Sequence, residues 1–138
     1  MNILKQAPPG VIYEPIDPAI APLVDELRVD PHIVTLGSCS GHGRWPAYVE
    51  LAVQWPYGMY SFVRRLNMLG RELKADVLSS VVLNWSDEVA TAIDFDLYPT
   101  WIMLTWQIES TSRRRAPSVA LLKRIATTWE DYGQRNRL

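Results

Sequence analysis

Hydrophobic side chains recur along this chain with two different periods, and the alternation between them predicts an order of elements. Ile20, Leu23, Val24 and Leu27 stand at i, i+3, i+4 and i+7, the spacing of one face of an α-helix. Asp17 is the natural N-cap and Pro18 suits a first helical turn, so the helix is expected to run to about Arg28. Pro22 lies inside that window and either bends the helix or marks its true start. Ile33 to Leu36 is a short apolar, β-branched run and reads as a buried strand. Ala47 to Gln54 alternates, with Val49, Leu51 and Val53 on one face and Tyr48, Glu50 and Gln54 on the other, the pattern of a half-buried strand.

The second half repeats that logic. Pro56 and Gly58 open a helix whose apolar face is Met59, Phe62, Val63, Leu66, Leu69 and Leu73, ending near Lys74. Three strands are expected after it. Residues 78–85 put Val81, Leu83 and Trp85 on one face; residues 89–97 alternate through Val89, Thr91, Ile93, Phe95 and Leu97; residues 101–109 align Ile102, Leu104, Trp106 and Ile108. Ser86-Asp87-Glu88 and Tyr98-Pro99-Thr100 read as the turns between them. The stretch Glu88 to Ile93 also fits a helix. Pro117 then opens a last helix lined by Leu121, Leu122, Ile125, Trp129 and Tyr132, and Val11 to Tyr13 offers a short edge strand near the start.

The resulting order is β-α-β-β-α-β-β-β-α. Strands grouped by short turns favour antiparallel pairing, so the expected class is α+β, a mostly antiparallel sheet with about three helices packed on it. The length of 138 residues suits a single domain, 1–138, with residues 1–10 as a loose N-terminal arm and 134–138 as a frayed tail. The α-β-β order occurs twice, which suggests an internal pseudo-repeat.

Composition narrows the class of function. Hydrophobic residues make up 48% and charged residues 21%, ordinary for a globular chain, and the net charge of −1 argues against a broad basic surface for nucleic acid. One cysteine excludes an internal disulfide, and no apolar run reaches the roughly 20 residues that span a bilayer. The start MNILKQAPPG lacks the charged and apolar regions of a secretory signal. The expectation is a cytoplasmic protein without a membrane partner. Six tryptophans suit core packing, a partner surface, or a homodimer through a sheet face or edge strand.

The chemistry concentrates in residues 36–46, LGSCSGHGRWP, which hold the lone cysteine, one of two histidines and three of seven glycines. A run of Gly37, Ser38, Cys39, Ser40, Gly41, His42 and Gly43 can turn successive N–H groups inward as a nest for an anion, with Ser38 and Ser40 as hydroxyl donors and His42 and Arg44 as cations. Trp45 adds a ring for stacking. The spacing matches neither GxxxxGK[ST] nor GxGxxG. Cys39 is a nucleophile only if a neighbour such as His42 or Arg44 favours its thiolate; a small buried packing residue is the alternative. Cys39, His42 and His32 contain no second ligand pair of the kind a structural zinc site uses, so no metal is expected. Arg113-Arg114-Arg115 reads as a solvated turn before the last helix, and Arg64 and Arg65 as the polar side of the central one.

The string TLGSCSGHGRWPAYVEL, Thr35 to Leu51, resembles the Ser-Ser-Cys-Ser-Gly-Arg signature of the wybutosine-synthesis tRNA methyltransferase family, in which a strand enters that turn and another leaves it. Ser38, Cys39, Ser40 and Gly41 match; His42 and Gly43 intervene before Arg44. The resemblance implies an α+β fold distinct from the Rossmann methyltransferases, S-adenosylmethionine as cofactor and tRNA as partner. The form CSGHG followed by PAYV is also similar to small proteins of phages and prophages. The likeness covers about 17 of 138 residues. Together these observations predict a binding module, an accessory protein of a phage or mobile element. Its loop from Gly37 to Trp45, with Ser38 to Trp45 as the contacting residues, would take an anionic, nucleotide-like ligand or a host protein without a cofactor. The alternative is a methyltransferase-like enzyme.

Overall fold

The computed structural model describes residues 16–84, 86–95 and 100–135. The expected arm at 1–10, the edge strand at 11–13, Trp85, the turn residues Tyr98 and Pro99, and residues 136–138 lie outside the described residues. Among the described residues eight α-helices and strands follow one another: α1 (Ala21–Arg28), β1 (Ile33–Cys39), β2 (Ala47–Trp55), α2 (Tyr57–Leu73), β3 (Val77–Leu83), α3 (Asp87–Phe95), β4 (Thr100–Ser110) and α4 (Val119–Arg135). The class is α+β, as the pattern predicts. The four strands form one sheet in the order β1-β2-β4-β3, with every neighbouring pair antiparallel.

Periodicity explains most of this. Val49, Leu51 and Val53 of β2 pair with Trp106, Leu104 and Ile102 of β4, so both central strands turn one apolar set to the same face. That face is fully buried. The face is covered by α1 through Leu23, Val24 and Leu27, by α2 through Phe62, Leu69 and Leu73, and by α4 through Leu122, Ile125 and Trp129. Phe62 stands edge-on to Trp106, their centroids 6.0 Å apart, and Trp129 lies 5.3 Å from Trp106. This aromatic cluster is the centre of the core. Each fully buried large aliphatic side chain around it contributes roughly 1.5–3 kcal/mol.

Several boundaries differ from the expectation. Helix α1 begins at Ala21, with Pro22 in its first turn, so this proline marks the start and does not bend the helix. Val63 of α2 is exposed, because at 100° per residue it falls beyond the stripe that holds Phe62, Leu69 and Leu73. Gln134 and Arg135 belong to α4.

The main correction is the segment 89–97, expected as a strand. It forms α3 from Asp87 to Phe95. The Ser86 hydroxyl accepts a hydrogen bond from the Val89 N–H at 3.2 Å, an N-cap where a turn was expected. Val89 is buried and Thr91 exposed, so the apolar spacing from Val89 to Ile93 is used as i, i+4. Val89 lines a small cavity with Trp101 and Met103, which places α3 against the sheet face opposite the other helices.

Candidate functional site

The glycine-rich segment begins inside β1. The pairing register slips by one residue between Thr35 and Gly37, a bulge at Leu36. An extra residue in one strand inverts the alternation beyond it. Ser38 therefore pairs with Val49 on the helix side, while Gly37 and Cys39 pair with Glu50 and Tyr48 on the opposite side. Gly37, Ser38 and Cys39, expected as loop, are strand residues.

The chain then makes one tight turn, Gly41–Gly43, before β2. Gly41, His42 and Gly43 all have positive φ, of 81°, 52° and 72°. A Cβ on Gly41 would also stand 3.1 Å from the Pro46 carbonyl. Glycine is therefore required at 41 for both conformation and space. His42 is a side chain in the left-handed region, where histidine is tolerated better than most residues.

What holds this turn is a residue from elsewhere. Asp17, just ahead of α1, accepts hydrogen bonds from the Ser40 hydroxyl and, at 3.3 Å, the Ser40 N–H on Oδ2. Its Oδ1 accepts the Ala19 N–H at 3.0 Å. Nδ1 of His42 lies 3.5 Å from Oδ2. Around this carboxylate the His42 N–H donates to Ser40 Oγ at 3.2 Å and the Gly41 N–H to Cys39 Sγ at 3.4 Å. The Arg44 and Trp45 N–H groups both reach the Gly41 carbonyl at 2.9 Å. The Ser40 hydroxyl is the largest influence on Asp17 and holds its carboxyl below the usual aspartate value, with the Ala19 N–H next; partial burial opposes them.

The Ser40, Gly41, His42, Arg44 and Trp45 amides all find acceptors within the chain; Asp17 takes the Ser40 N–H, and the others go to Cys39 Sγ, Ser40 Oγ and the Gly41 carbonyl. What the loop offers to solvent is its side chains. Ser40 and Gly41 are buried, Ser38 and Cys39 half-buried, and His42, Gly43, Arg44 and Trp45 exposed, Trp45 to 67%. Asp17 is the residue of this cluster that the sequence assigned another role, a helix cap; no local motif links it to Ser40, 23 residues downstream. The acidic group, the thiol and the imidazole of Asp17, Cys39 and His42 come within 4.8 Å of one another.

The other candidates lie apart from this cluster. His32 precedes β1, and its Nδ1 is 2.9 Å from Gln54 Oε1, a strand's length from Cys39. Arg115 grips Glu109 through two hydrogen bonds of 3.0 and 3.2 Å. Arg113 and Arg114 are exposed in the turn that leaves β4. Because Ala47 at the start of β2 pairs with Ile108 near the end of β4, that turn and the loop leave the same end of the sheet. The guanidiniums of Arg64 and Arg65 stack over Tyr60 and Trp129, on α2 and its packing partner. An open groove of about 630 Å³ lies between α2 and β3, lined by Asn67, Arg71, Lys74, Ser79 and Ser80 among others, and is separate from the loop.

No family model matches the chain, and no curated protein or solved structure is significantly similar to it. No helix among the described residues is long and apolar enough to cross a membrane.

Proposed function

We propose that this chain is a small binding module whose loop rim, His42, Arg44 and Trp45, takes an anionic ligand with an aromatic base, a nucleotide or a close relative. The observation that carries this reading is Trp45, a large ring exposed next in sequence to the exposed Arg44, on a turn fixed from beneath. A base stacks on such a ring regardless of its identity, and a phosphate pairs with arginine in a charge-assisted, bidentate way. Two helix N-termini, of α1 and α4, point toward this end of the sheet, and Arg113 and Arg114 lie there as well. Positive helix ends and these arginines favour an anion, against the nearby Asp17 carboxylate. Unlike the backbone-nest arrangement expected from the glycines, this mode leaves the internally bonded amides undisturbed. The likeness of CSGHG and PAYV to phage and prophage proteins supports an accessory role in a host cytoplasm.

Titration calorimetry with a panel of nucleotides, with S-adenosylmethionine included, tests the reading. A nucleoside phosphate should bind without turnover, and Trp45→Ala should weaken it by roughly 1–3 kcal/mol, the worth of one stacked base. A blank panel sinks the reading. Saturable binding of S-adenosylmethionine alone would favour the methyltransferase relationship that Ser38 to Gly41 suggests. Capture of a host protein that depends on Trp45, with no nucleotide bound, would make the rim a protein-docking surface.

A further inference from the structure

We propose that Asp17, Cys39 and His42 form a binding site for one zinc-class divalent cation, which shares His42 with the proposed rim but does not need Arg44 or Trp45. Three donors of different chemistry, a carboxylate oxygen, a sulfur and an imidazole nitrogen, converge within 4.8 Å from two separate parts of the chain. In a tetrahedral zinc site the ligand atoms stand about 3.3–3.6 Å apart, given bonds of about 2.0–2.3 Å. A side-chain adjustment of about an ångström closes that difference. A mixed oxygen, nitrogen and sulfur set suits a borderline-soft ion such as Zn(II) and is poor for magnesium or calcium, which prefer all-oxygen shells.

The surroundings are those a metal site needs. Ligating groups are oriented by outer hydrogen bonds. Here the Ser40 hydroxyl and the Ala19 N–H fix the Asp17 carboxylate, and the Gly41 N–H points at the Cys39 sulfur, where a thiolate's charge would sit. His42 adopts φ 52°, an uncommon conformation for a residue with a side chain, and its Nδ1 stands 3.5 Å from Asp17 Oδ2. Three protein ligands leave a fourth position for water or a ligand atom, and the exposure of His42 opens that position to solvent. On binding, Cys39 loses its thiol proton to solvent and becomes a thiolate ligand; the metal keeps its charge state.

The test uses chelator-treated full-length protein and the metal alone. Cobalt(II) should bind once per chain and give a near-ultraviolet thiolate-to-cobalt charge-transfer band with intense four-coordinate visible bands. Zinc should displace it. Cys39→Ser should lose the charge-transfer band. His42→Gly suits the positive φ, so it should fold as wild type does yet bind zinc at least about tenfold more weakly, and Ser40→Ala should weaken zinc by roughly 10–100-fold as an orienting residue. Trp45→Ala should bind zinc normally, which separates metal binding from base stacking on the rim. The proposal is overturned if wild type shows no charge-transfer band, or if folded His42→Gly binds zinc as tightly as wild type.

Discussion

Asp17 shows how a single residue can govern a loop that lies far from it in sequence. Its carboxylate collects a hydroxyl and two backbone N–H groups, and the turn at 40–43 is built around it. Because its folded pKa is held below the usual value of about 3.9, the charged form is favoured by folding. The contribution to stability is therefore complete above the unfolded pKa and is lost as pH falls through the folded one. Unfolding of metal-free wild type and Asp17→Asn, followed by denaturant titration, should show a constant gap between pH 5 and 7 that narrows below about pH 4. An equal gap at pH 5 and pH 2 would refute the assignment. At this scale the sequence was half legible. Glycine spacing and the Ser-Cys-Ser-Gly-His run locate the turn, and Trp45 and Arg44 are exposed on it. That the Ser40 amide would be satisfied from within could not be read, because its acceptor lies 23 residues upstream in a position that looks like a cap.

At the level of elements, period and punctuation compete, and α3 is where the wrong one was followed. Val89, Thr91, Ile93, Phe95 and Leu97 alternate without a break, and a strand is the obvious reading. The same stretch begins with Ser86 and two acidic residues, which is also how helices begin. Alternation over nine residues contains i, i+4 pairs by arithmetic, so a short run cannot exclude a helix. The capping hydrogen bond from the Val89 N–H to Ser86 Oγ decides the matter in the fold. Ser86→Ala should consequently destabilise the protein by about 1 kcal/mol, whereas Ser86→Asp should retain stability; chemical denaturation of both measures it. Equal losses in the two variants would mean that the hydroxyl does not cap. By contrast α2, α4 and the central strands were legible because long periodic runs leave no second interpretation. The bulge at Leu36 was not, since one extra residue leaves no trace in composition.

In the whole molecule, the recurring α-β-β order has a spatial counterpart. The hairpins β1-β2 and β3-β4 meet through their second strands, giving the order 1-2-4-3, with α1 and α2 on the same face. The two connections leave opposite ends of the sheet. One is the tight turn held by Asp17; the other contains α3 on the far face. This arrangement puts the candidate site on a stiff edge of a well-packed scaffold, so recognition and stability should be carried by different residues. Phe62, wedged against Trp106 and Trp129, lies wholly in the core, while Trp45 makes its contribution outside it. Truncating a buried phenylalanine costs roughly 3–5 kcal/mol, so Phe62→Ala should lower the melting temperature by about ten degrees or more. An exposed substitution away from caps and networks stays within about 0.5 kcal/mol, so Trp45→Ala should melt within a few degrees of wild type. Its fluorescence should lose a solvent-exposed emission, and with it any quenching by nucleotide. If Trp45→Ala instead melted as low as Phe62→Ala, the ring would be a structural element, and the separation of scaffold from binding rim would fail.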